Sequence, residues 1–374
     1  MNRFIHGVLF SLLLLGAGCR KEVEKLVVQQ QVIEKDKQYS WAQSKQLLGN
    51  FNILLGVGKG PNGLYFQQPN GFAALEQKAS SGALTYTQYL YPSPTDILVR
   101  LPLGPDYFAS YSNDSLVWLV PNVSPVVSNT GALIRLHRLD PQALRVQRNA
   151  YSFNKFGAIN KDNYFLFPYE SAARDNKNHL VLAHITPDPG SNAFYPKYRV
   201  TTQLLTLPIA SGIAPYSPQL LTAIDDYFLV DCGKEGAFKI TESSSYRQVL
   251  PAYTGVNQFF KYRGQVCATL DGNRFAVSAD NGDTWRIASG APSMLFTTLH
   301  PVGDSLVAVY HGIGGNLFTF SYNPAFTRWR IRPLKDDGLN QTDINGLETW
   351  GDTVYLATSS GLYKRPLSKF FESK

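Results

Sequence analysis

From about residue 40 to the end of the chain, short apolar stretches alternate with turns rich in Gly, Asp and Asn. A polar turn followed by an apolar stretch recurs, for example at Asp225-Asp226 before 227–230 and at Gly351-Asp352 before 353–356. With the looser copies, the anchors of this unit lie near residues 50, 114, 162, 226, 264, 304 and 352. Such stretches, bounded by turn residues, are typical of β-strands. The pattern predicts an all-β protein built from repeats.

Two further features complete each repeat. A Gly followed by an aromatic-bearing stretch comes after most anchors, as at Gly63, Gly272 and Gly361, and an aromatic outer strand follows at Trp285 and Trp329. A repeat of about 40 to 50 residues with four short strands has the period of a β-propeller blade. We therefore predict a β-propeller with seven blades. Six blades are the alternative, in which the weakest unit, near residue 50, merges with its neighbour.

The two ends of the repeat region complement each other. The last unit reaches Tyr363 and ends without a Trp strand of its own, whereas Trp41 precedes the first unit. The edges of each blade are protected by neighbouring blades only when the ring is closed. We predict that residues 40–48 complete the last blade and join the two ends of the ring.

The N-terminal segment has the features of a cleaved signal. Its apolar stretch, Val8–Leu15, is shorter than the ~20 residues that cross a bilayer and has the length of a signal-peptide core. The sequence Leu15-Gly16-Ala17-Gly18-Cys19 resembles the lipobox of bacterial lipoproteins. The resemblance implies a lipid on the Cys19 thiol, and the lack of a following Asp implies the outer membrane, on its periplasmic or surface side. An ordinary secretory signal with an incidental Cys19 is the alternative.

This interpretation divides the chain into a lipoprotein signal peptide (1–18), a tether (19–39) and a β-propeller (40–374). It predicts localisation in the cell envelope. The membrane is then one partner, through the N-terminal lipid.

Charge and cysteine content exclude several classes. The 35 basic and 28 acidic residues give a formal net charge of +7, but the basic residues are scattered singly, so we expect no nucleic-acid partner. No CxxC, HxH or HExxH pattern is present, and we expect neither a metal nor a cofactor. Cys232 and Cys267 lie in apolar stretches, which favours separate buried thiols over the alternative of a disulfide.

One motif is specific. Ser278, Asp280, Gly282, Thr284 and Trp285 match the pattern S-x-D-x-G-x-T-W, with decayed copies at 321–329 and 241–246. The chain therefore resembles the Asp-box (BNR) β-propellers, which include sialidase-like and photosystem II stability factor-like proteins. In such a turn the carboxylate accepts N–H bonds, the Gly takes a positive φ and the Trp packs between sheets.

The resemblance implies that this turn lies away from the ligand site, so we expect Asp280 to be structural rather than catalytic. A calcium loop is not expected either, because the later carboxylate of an EF-type loop is absent. Ligands of propellers usually bind at the mouth of the central channel, which the loops between second and third strands surround. The candidate ligand-binding residues in these predicted loops are Lys59, Arg174, Lys234, Glu235, Asp271 and His311.

Each candidate can also be a solvated turn residue, and His311 a rim histidine with a backbone partner. We favour a non-catalytic binding propeller whose partner is an envelope protein or a glycan. The alternative is a glycoside hydrolase or lyase of sialidase-like type. That family's early Arg-Ile-Pro signature is missing, and Arg100-Leu101-Pro102 is the nearest sequence. A Tyr bonded to a Glu beneath converging arginines at the channel mouth would favour the enzyme.

Overall fold

The structure, a computed structural model, describes residues 39–44, 53–60, 63–69, 71–77, 84–90, 100–113, 115–121, 132–148, 157–173, 175–190, 197–208, 218–294, 296–311, 316–339 and 342–374. Trp41–Lys374 forms one compact unit. The predicted signal peptide, Cys19 and almost all of the predicted tether lie outside the described residues. Within those residues, no helix is long and apolar enough to span a bilayer.

The described strands form seven antiparallel sheets, which are the blades of a ring. The first strand, β1 (Ala42–Gln43), belongs to the last of them. Blade 1 contains β2 (Gly56–Gly60), β3 (Gly63–Gln68), β4 (Gly71–Gln77) and β5 (Leu84–Leu90); blade 2 contains β6 (Tyr107–Asn113), β7 (Leu116–Pro121) and β8 (Ala132–Arg135). Blade 3 contains β9 (Ala143–Val146), β10 (Ala158–Ile159), β11 (Tyr164–Ser171), β12 (Lys177–Pro187) and β13 (Tyr198–Pro208).

Blades 4 to 6 each have four strands in chain order. Blade 4 contains β14 (Leu220–Ile224), β15 (Tyr227–Asp231), β16 (Ala237–Thr241) and β17 (Tyr246–Leu250); blade 5 contains β18 (Val256–Tyr262), β19 (Gln265–Leu270), β20 (Arg274–Ser278) and β21 (Arg286–Ser289); blade 6 contains β22 (Thr297–Val302), β23 (Ser305–Tyr310), β24 (Asn316–Tyr322) and β25 (Trp329–Pro333). Short helices follow at Leu136–Leu139, Gly233–Glu235 and Leu367–Phe370.

Blade 7 joins the two ends of the described chain. It contains β26 (Ile344–Trp350), β27 (Thr353–Thr358) and β28 (Gly361–Pro366), and β1 is its outer strand. Ala42 pairs with Lys364 and Gln43 with Tyr363. The predicted seven-bladed β-propeller, closed by an N-terminal strand, is confirmed, and the six-bladed alternative is wrong.

A hydrophobic core lies between each pair of neighbouring blades. Between blades 7 and 1, for example, Tyr355 and Leu362 pack with Phe66 and Leu75, and all four side chains are buried. Blades 4 and 5 share a core around Leu229. Each sheet is therefore covered on both faces by its neighbours, which explains why second strands such as β15 and β19 are almost entirely buried, whereas outer strands such as β17 and β25 are largely exposed.

The meander within each blade gives the propeller two distinct faces. We call the lower face the end where the first strand of a blade turns into the second and the third into the fourth. The upper face carries the turns from second to third strand and the connections between blades. In blade 5 the lower turns lie at 263–264 and 279–285, and the upper turn lies at 271–273.

Blade 1 corrects one prediction. Gly63 begins the second strand of this blade, β3, not the third, because the hairpin turn of β2 and β3 lies between Gly60 and Gly63 rather than near residue 50. A Cβ on Gly63 would lie 2.0 Å from the Leu75 carbonyl oxygen, so the strands approach too closely there for any other residue. Lys59 consequently lies at the lower end of β2 and not in an upper loop.

The Asp-box sequence forms the lower turn between β20 and β21. Asp280 accepts hydrogen bonds from the Thr284 backbone N–H (2.8 Å) and hydroxyl (2.6 Å), and these bonds hold the pKa of its carboxyl well below the usual range. The Ser278 hydroxyl accepts the Gly282 N–H at 2.7 Å, and Gly282 has a φ of 82°. Trp285 donates to the Gly282 carbonyl at 3.1 Å. The turn thus has the predicted bonds and lies on the face opposite the upper loops.

The decayed copies keep parts of this geometry. In blade 6 the Asn323 amide takes the part of the aspartate, since it accepts the Thr327 N–H at 2.9 Å and donates to the Thr327 hydroxyl at 2.9 Å. Phe326 and Ser244, in the corresponding turns of blades 6 and 4, have positive φ of 57° and 64°. These turns therefore also contain a positive φ, although the motif residues have changed.

Cys232 and Cys267 are buried thiols in blades 4 and 5 and do not form a disulfide. Burial raises the pKa of the Cys267 thiol to about 12. The prediction of two separate buried thiols is confirmed.

Candidate functional site

The upper loops of blades 4 to 6 are hydrogen-bonded to the connections between blades. The Tyr253 N–H donates to the Lys234 carbonyl (3.2 Å), the Asp271 N–H to the Gly255 carbonyl (3.0 Å) and the His311 N–H to the Phe296 carbonyl (2.7 Å). Lys234, Asp271 and His311 therefore lie on the upper face of three successive blades, as predicted. Their loops are fixed by ordinary backbone bonds.

The remaining predicted residues have different outcomes. Glu235 lies beside Lys234 in the short helix Gly233–Glu235, also on the upper face. Arg174 lies outside the described residues. Lys59 is exposed on the lower face, near Glu348 of β26. Burial raises the pKa of the Glu348 carboxyl to about 7, and the positive charge of Lys59 offsets part of this rise. The structure thus places four of the six predicted candidates on the upper face, and their role in ligand binding stays a prediction.

Two exposed aromatic residues, which the sequence did not identify, stand on the same face. Tyr253 and Phe296 lie in the connections that lead into blades 5 and 6, and they are 73% and 64% exposed. Their φ angles are 62° and 56°. A bulky residue in this region is uncommon, and the conformation costs about 1–3 kcal/mol. The backbone bonds to Lys234 and His311 hold both residues in it.

A histidine and threonine network lies next to this surface. The Thr298 hydroxyl is 2.7 Å from His311 Nε2 and 2.9 Å from His300 Nε2, and His311 Nδ1 is 2.9 Å from the Ile344 carbonyl oxygen. Burial lowers the pKa of His300 to about 4, and burial followed by the charge of Arg100 lowers the pKa of His311. Both imidazoles are therefore neutral at pH 7, and His311 has the backbone partner that its alternative interpretation predicted.

Arg100 links blade 7 to the connections at either end of blade 1, beside this network. Its guanidinium donates to Asn345 Oδ1 at 2.8 Å, and the Asn345 amide donates to the Leu54 carbonyl at 2.8 Å. Asn345 and Leu54 belong to blade 7 and to the connection into blade 1. Arg100, which resembled a signature fragment in the sequence, is thus used to join neighbouring parts of the ring.

A buried carboxyl lies below the upper loops. Asp231, at the upper end of β15, is 0% exposed. Burial, with a smaller contribution from the Asp271 and Glu235 carboxylates, raises the pKa of this carboxyl to about 7. Among the described residues, no group of three His, Cys, Asp or Glu side chains is placed to hold a metal ion.

The Tyr–Glu pair that would favour a glycosidase has a counterpart elsewhere. The Tyr65 hydroxyl donates to Glu76 Oε1 at 3.2 Å. Tyr65 is 1% exposed, and Glu76 pairs with Gly63 at the lower end of blade 1. This pair is therefore buried away from the upper face and from Arg100.

Comparison with known proteins adds similar folds. No protein-family model matches the chain, and neither does any curated protein sequence. One similar solved structure is PorZ, a bacterial surface component of the type-IX secretion system of Porphyromonas gingivalis, with 11% sequence identity and a TM-score of 0.44 over 90% of this chain. Another is BamB from Moraxella catarrhalis, with 9% identity and a TM-score of 0.42 over 88% of this chain and 96% of BamB. A third is YCF48 bound to D1 peptide, with 12% identity and a TM-score of 0.48 over 88% of this chain and 98% of YCF48. The chain spans 39% of the length of PorZ. The fold class of this protein, a β-propeller, is therefore defined by its own seven sheets rather than by these comparisons.

Proposed function

We propose that this protein is a non-catalytic binding propeller of the bacterial envelope, tethered by a lipid on Cys19, and that its upper face binds an envelope protein. The observation that carries the proposal is the pair Tyr253 and Phe296, exposed and held in a costly backbone conformation on one face. Exposed aromatic residues on a rigid frame are typical anchors of protein interfaces. The charged residues Lys234 and Asp271 would form the polar rim around them.

The proposal includes membership of the Asp-box superfamily, supported by the bonds of the 278–285 turn, and an outer-membrane lipoprotein, supported by the sequence before Cys19. The glycosidase alternative gains no support from Tyr65 and Glu76, because substrate at the channel mouth would not reach this buried pair.

Capture from detergent-solubilised envelope tests the proposal. The double variant Tyr253→Ala, Phe296→Ala should retain less than about a tenth of the partner bound by the wild-type chain, since each anchor contributes about 1–2 kcal/mol or more. The control Tyr246→Ala, Leu204→Ala removes two exposed side chains, each 46% exposed, from outer strands and should bind normally. Equal capture by both variants, or cleavage of added envelope glycans by the wild type, would overturn the proposal.

A further inference from the structure

A cavity of about 900 Å³ opens at the lower edge of blade 6, on the face opposite the candidate site. Four arginines line it: Arg263, Arg286, Arg330 and Arg332. Asp304 is the one acidic side chain in its lining. The cavity therefore has a surplus of positive charge in a chain whose charges are otherwise dispersed, and such a surplus attracts anions.

In the part of the chain that the structure describes, these arginines have no acidic partner, since none of the four guanidinium groups lies within 4.0 Å of a carboxylate oxygen. Some other exposed arginines are paired, as Arg145 is with Glu170 and Arg199 with Asp188. An unpaired guanidinium keeps its fork of N–H donors available to a ligand oxyanion.

Two of the arginines are held in place. Arg286 donates to the Pro324 carbonyl at 2.9 Å and lies 4.5 Å from the centre of the Phe326 ring. Arg263 donates to the Asp304 carbonyl at 2.8 Å. Phe326 has a positive φ of 57°, so a ring is retained at this turn despite the backbone cost. The cavity is thus preorganised for its ligand.

The rim of the cavity combines cationic and apolar side chains. The apolar ones include Phe320, Phe326 and Phe371. Arginine beside apolar aromatic side chains fits the boundary between lipid phosphates and acyl chains.

The chain reaches the propeller on the same side. Because β1 is the rising outer strand of blade 7, Trp41, which precedes it, lies at its lower end. Cys19 precedes Trp41 by about 20 residues. A lipid on Cys19 would therefore raise the effective concentration of membrane lipids around this edge.

We propose that this cavity binds the phosphate group of an anionic membrane lipid. The inference deepens the proposed function, because it rests on the envelope lipoprotein and assigns its lower face to the membrane. The guanidinium groups bind the phosphate oxygens, and Phe326 and Phe371 of the lining contact the first carbons of the acyl chains. A free phosphate ion offers the same oxyanion without those chains.

Calorimetry with soluble short-chain lipids tests the proposal on the full chain in neutral detergent. Dihexanoyl phosphatidylglycerol should bind at least about tenfold more tightly than dihexanoyl phosphatidylcholine or inorganic phosphate, since anionic charge and apolar contact both contribute. The variant Arg286→Gln, Arg330→Gln, Arg332→Gln should weaken phosphatidylglycerol binding by more than about tenfold, because it removes three charged hydrogen-bond donors from the cavity.

The control variant Arg145→Gln, Lys177→Gln, Arg199→Gln removes the same charge from blade 3 and should bind normally. Unchanged circular dichroism and thermal unfolding confirm that each variant is folded. Equal binding of the two lipids, phosphate binding as tight as lipid, or equal losses in both variants would overturn the inference. Partner capture through Tyr253 and Phe296 is measured separately, so its failure would contradict the proposed function without changing this calorimetric result.

Discussion

Removing Trp41 should open the ring where its two ends meet. Trp41 is 2% exposed and packs edge-to-face on Phe370 with the ring centres 5.8 Å apart. Its indole N–H donates to the Lys335 carbonyl at 3.1 Å. Strand β1 has only two residues, so this side chain supplies most of its attachment. Trp41→Ala should lower the free energy of unfolding by about 4 kcal/mol, the usual cost of removing a buried aromatic side chain.

Arg365 should increase the loss of unfolding free energy that Trp41→Ala causes. This arginine is 1% exposed, donates to the Lys335 carbonyl at 3.0 Å and to Glu372 Oε2 at 2.9 Å, and lies 6.0 Å from the Trp41 ring. Without Trp41, water would reach the buried guanidinium and the outer edge of β28. The peptide N–H groups of β28 that bond β1 should then exchange faster with solvent.

Urea unfolding followed by circular dichroism measures the loss, and hydrogen exchange by mass spectrometry measures the opening. Trp285→Ala is the matched control, because Trp285 precedes the outer strand of blade 5 in the same way as Trp41 precedes the outer strand of blade 7. Trp285 differs in being only half-buried and in not joining the two ends of the ring. We expect about 2 kcal/mol for the control. If Trp41→Ala costs no more than Trp285→Ala and leaves β28 protected, the closure argument is wrong.

Two further predictions follow from buried and turn carboxyls. Because burial raises the pKa of Asp231 to about 7, the folded state keeps a proton that the unfolded chain loses near pH 4, so stability should fall as pH rises from about 4 to about 7. Asp231→Asn should flatten this fall in urea unfolding at pH 4.5 and 8, and an unchanged slope would contradict it. Asp280→Ala removes the bonds of the blade 5 turn and should lower the midpoint of thermal unfolding while partner capture stays unchanged. Asn323→Ala, in the equivalent turn of blade 6, should have the same effect. Reduced capture by a folded Asp280→Ala variant would contradict the structural role of Asp280.

The sequence predicted the blades whose turns carry regular signals. Gly272 and Trp285 mark the upper turn and outer strand of blade 5, and Trp41 predicted the closing strand correctly. Blade 1 was placed wrongly at its first turn, because Gly49-Asn50 has the composition of a turn as much as the segment from Gly60 to Gly63 does. Composition alone cannot distinguish two neighbouring turn signals, whereas strand pairing does. Lys59 was therefore assigned to the wrong face.

The functional surfaces were harder to predict for a different reason. Tyr253 and Phe296 lie in connections between blades, where polar residues are expected. For Tyr253, the sequence does contain a signal, because this aromatic residue lies in a turn, 251–255, that begins with Pro and ends with Gly. Arg263, Arg286 and Arg330 are far apart in the chain and come together only when blades 5 and 6 pack. Scattered charge in the sequence thus became clustered charge in the structure.

The order of the strands within each blade places the upper aromatic surface and the lower arginine cavity on opposite faces of the propeller. In an antiparallel blade, consecutive turns lie at opposite ends of the sheet, so a substitution in an upper loop and one in a lower turn affect different faces. The aromatic pair lies above and the arginine cavity below, with closely packed blade cores between them. A propeller whose lower edge binds lipid phosphate would therefore hold its upper face away from the bilayer and toward a protein partner. Independence of the capture and lipid-binding measurements is the direct consequence of this geometry.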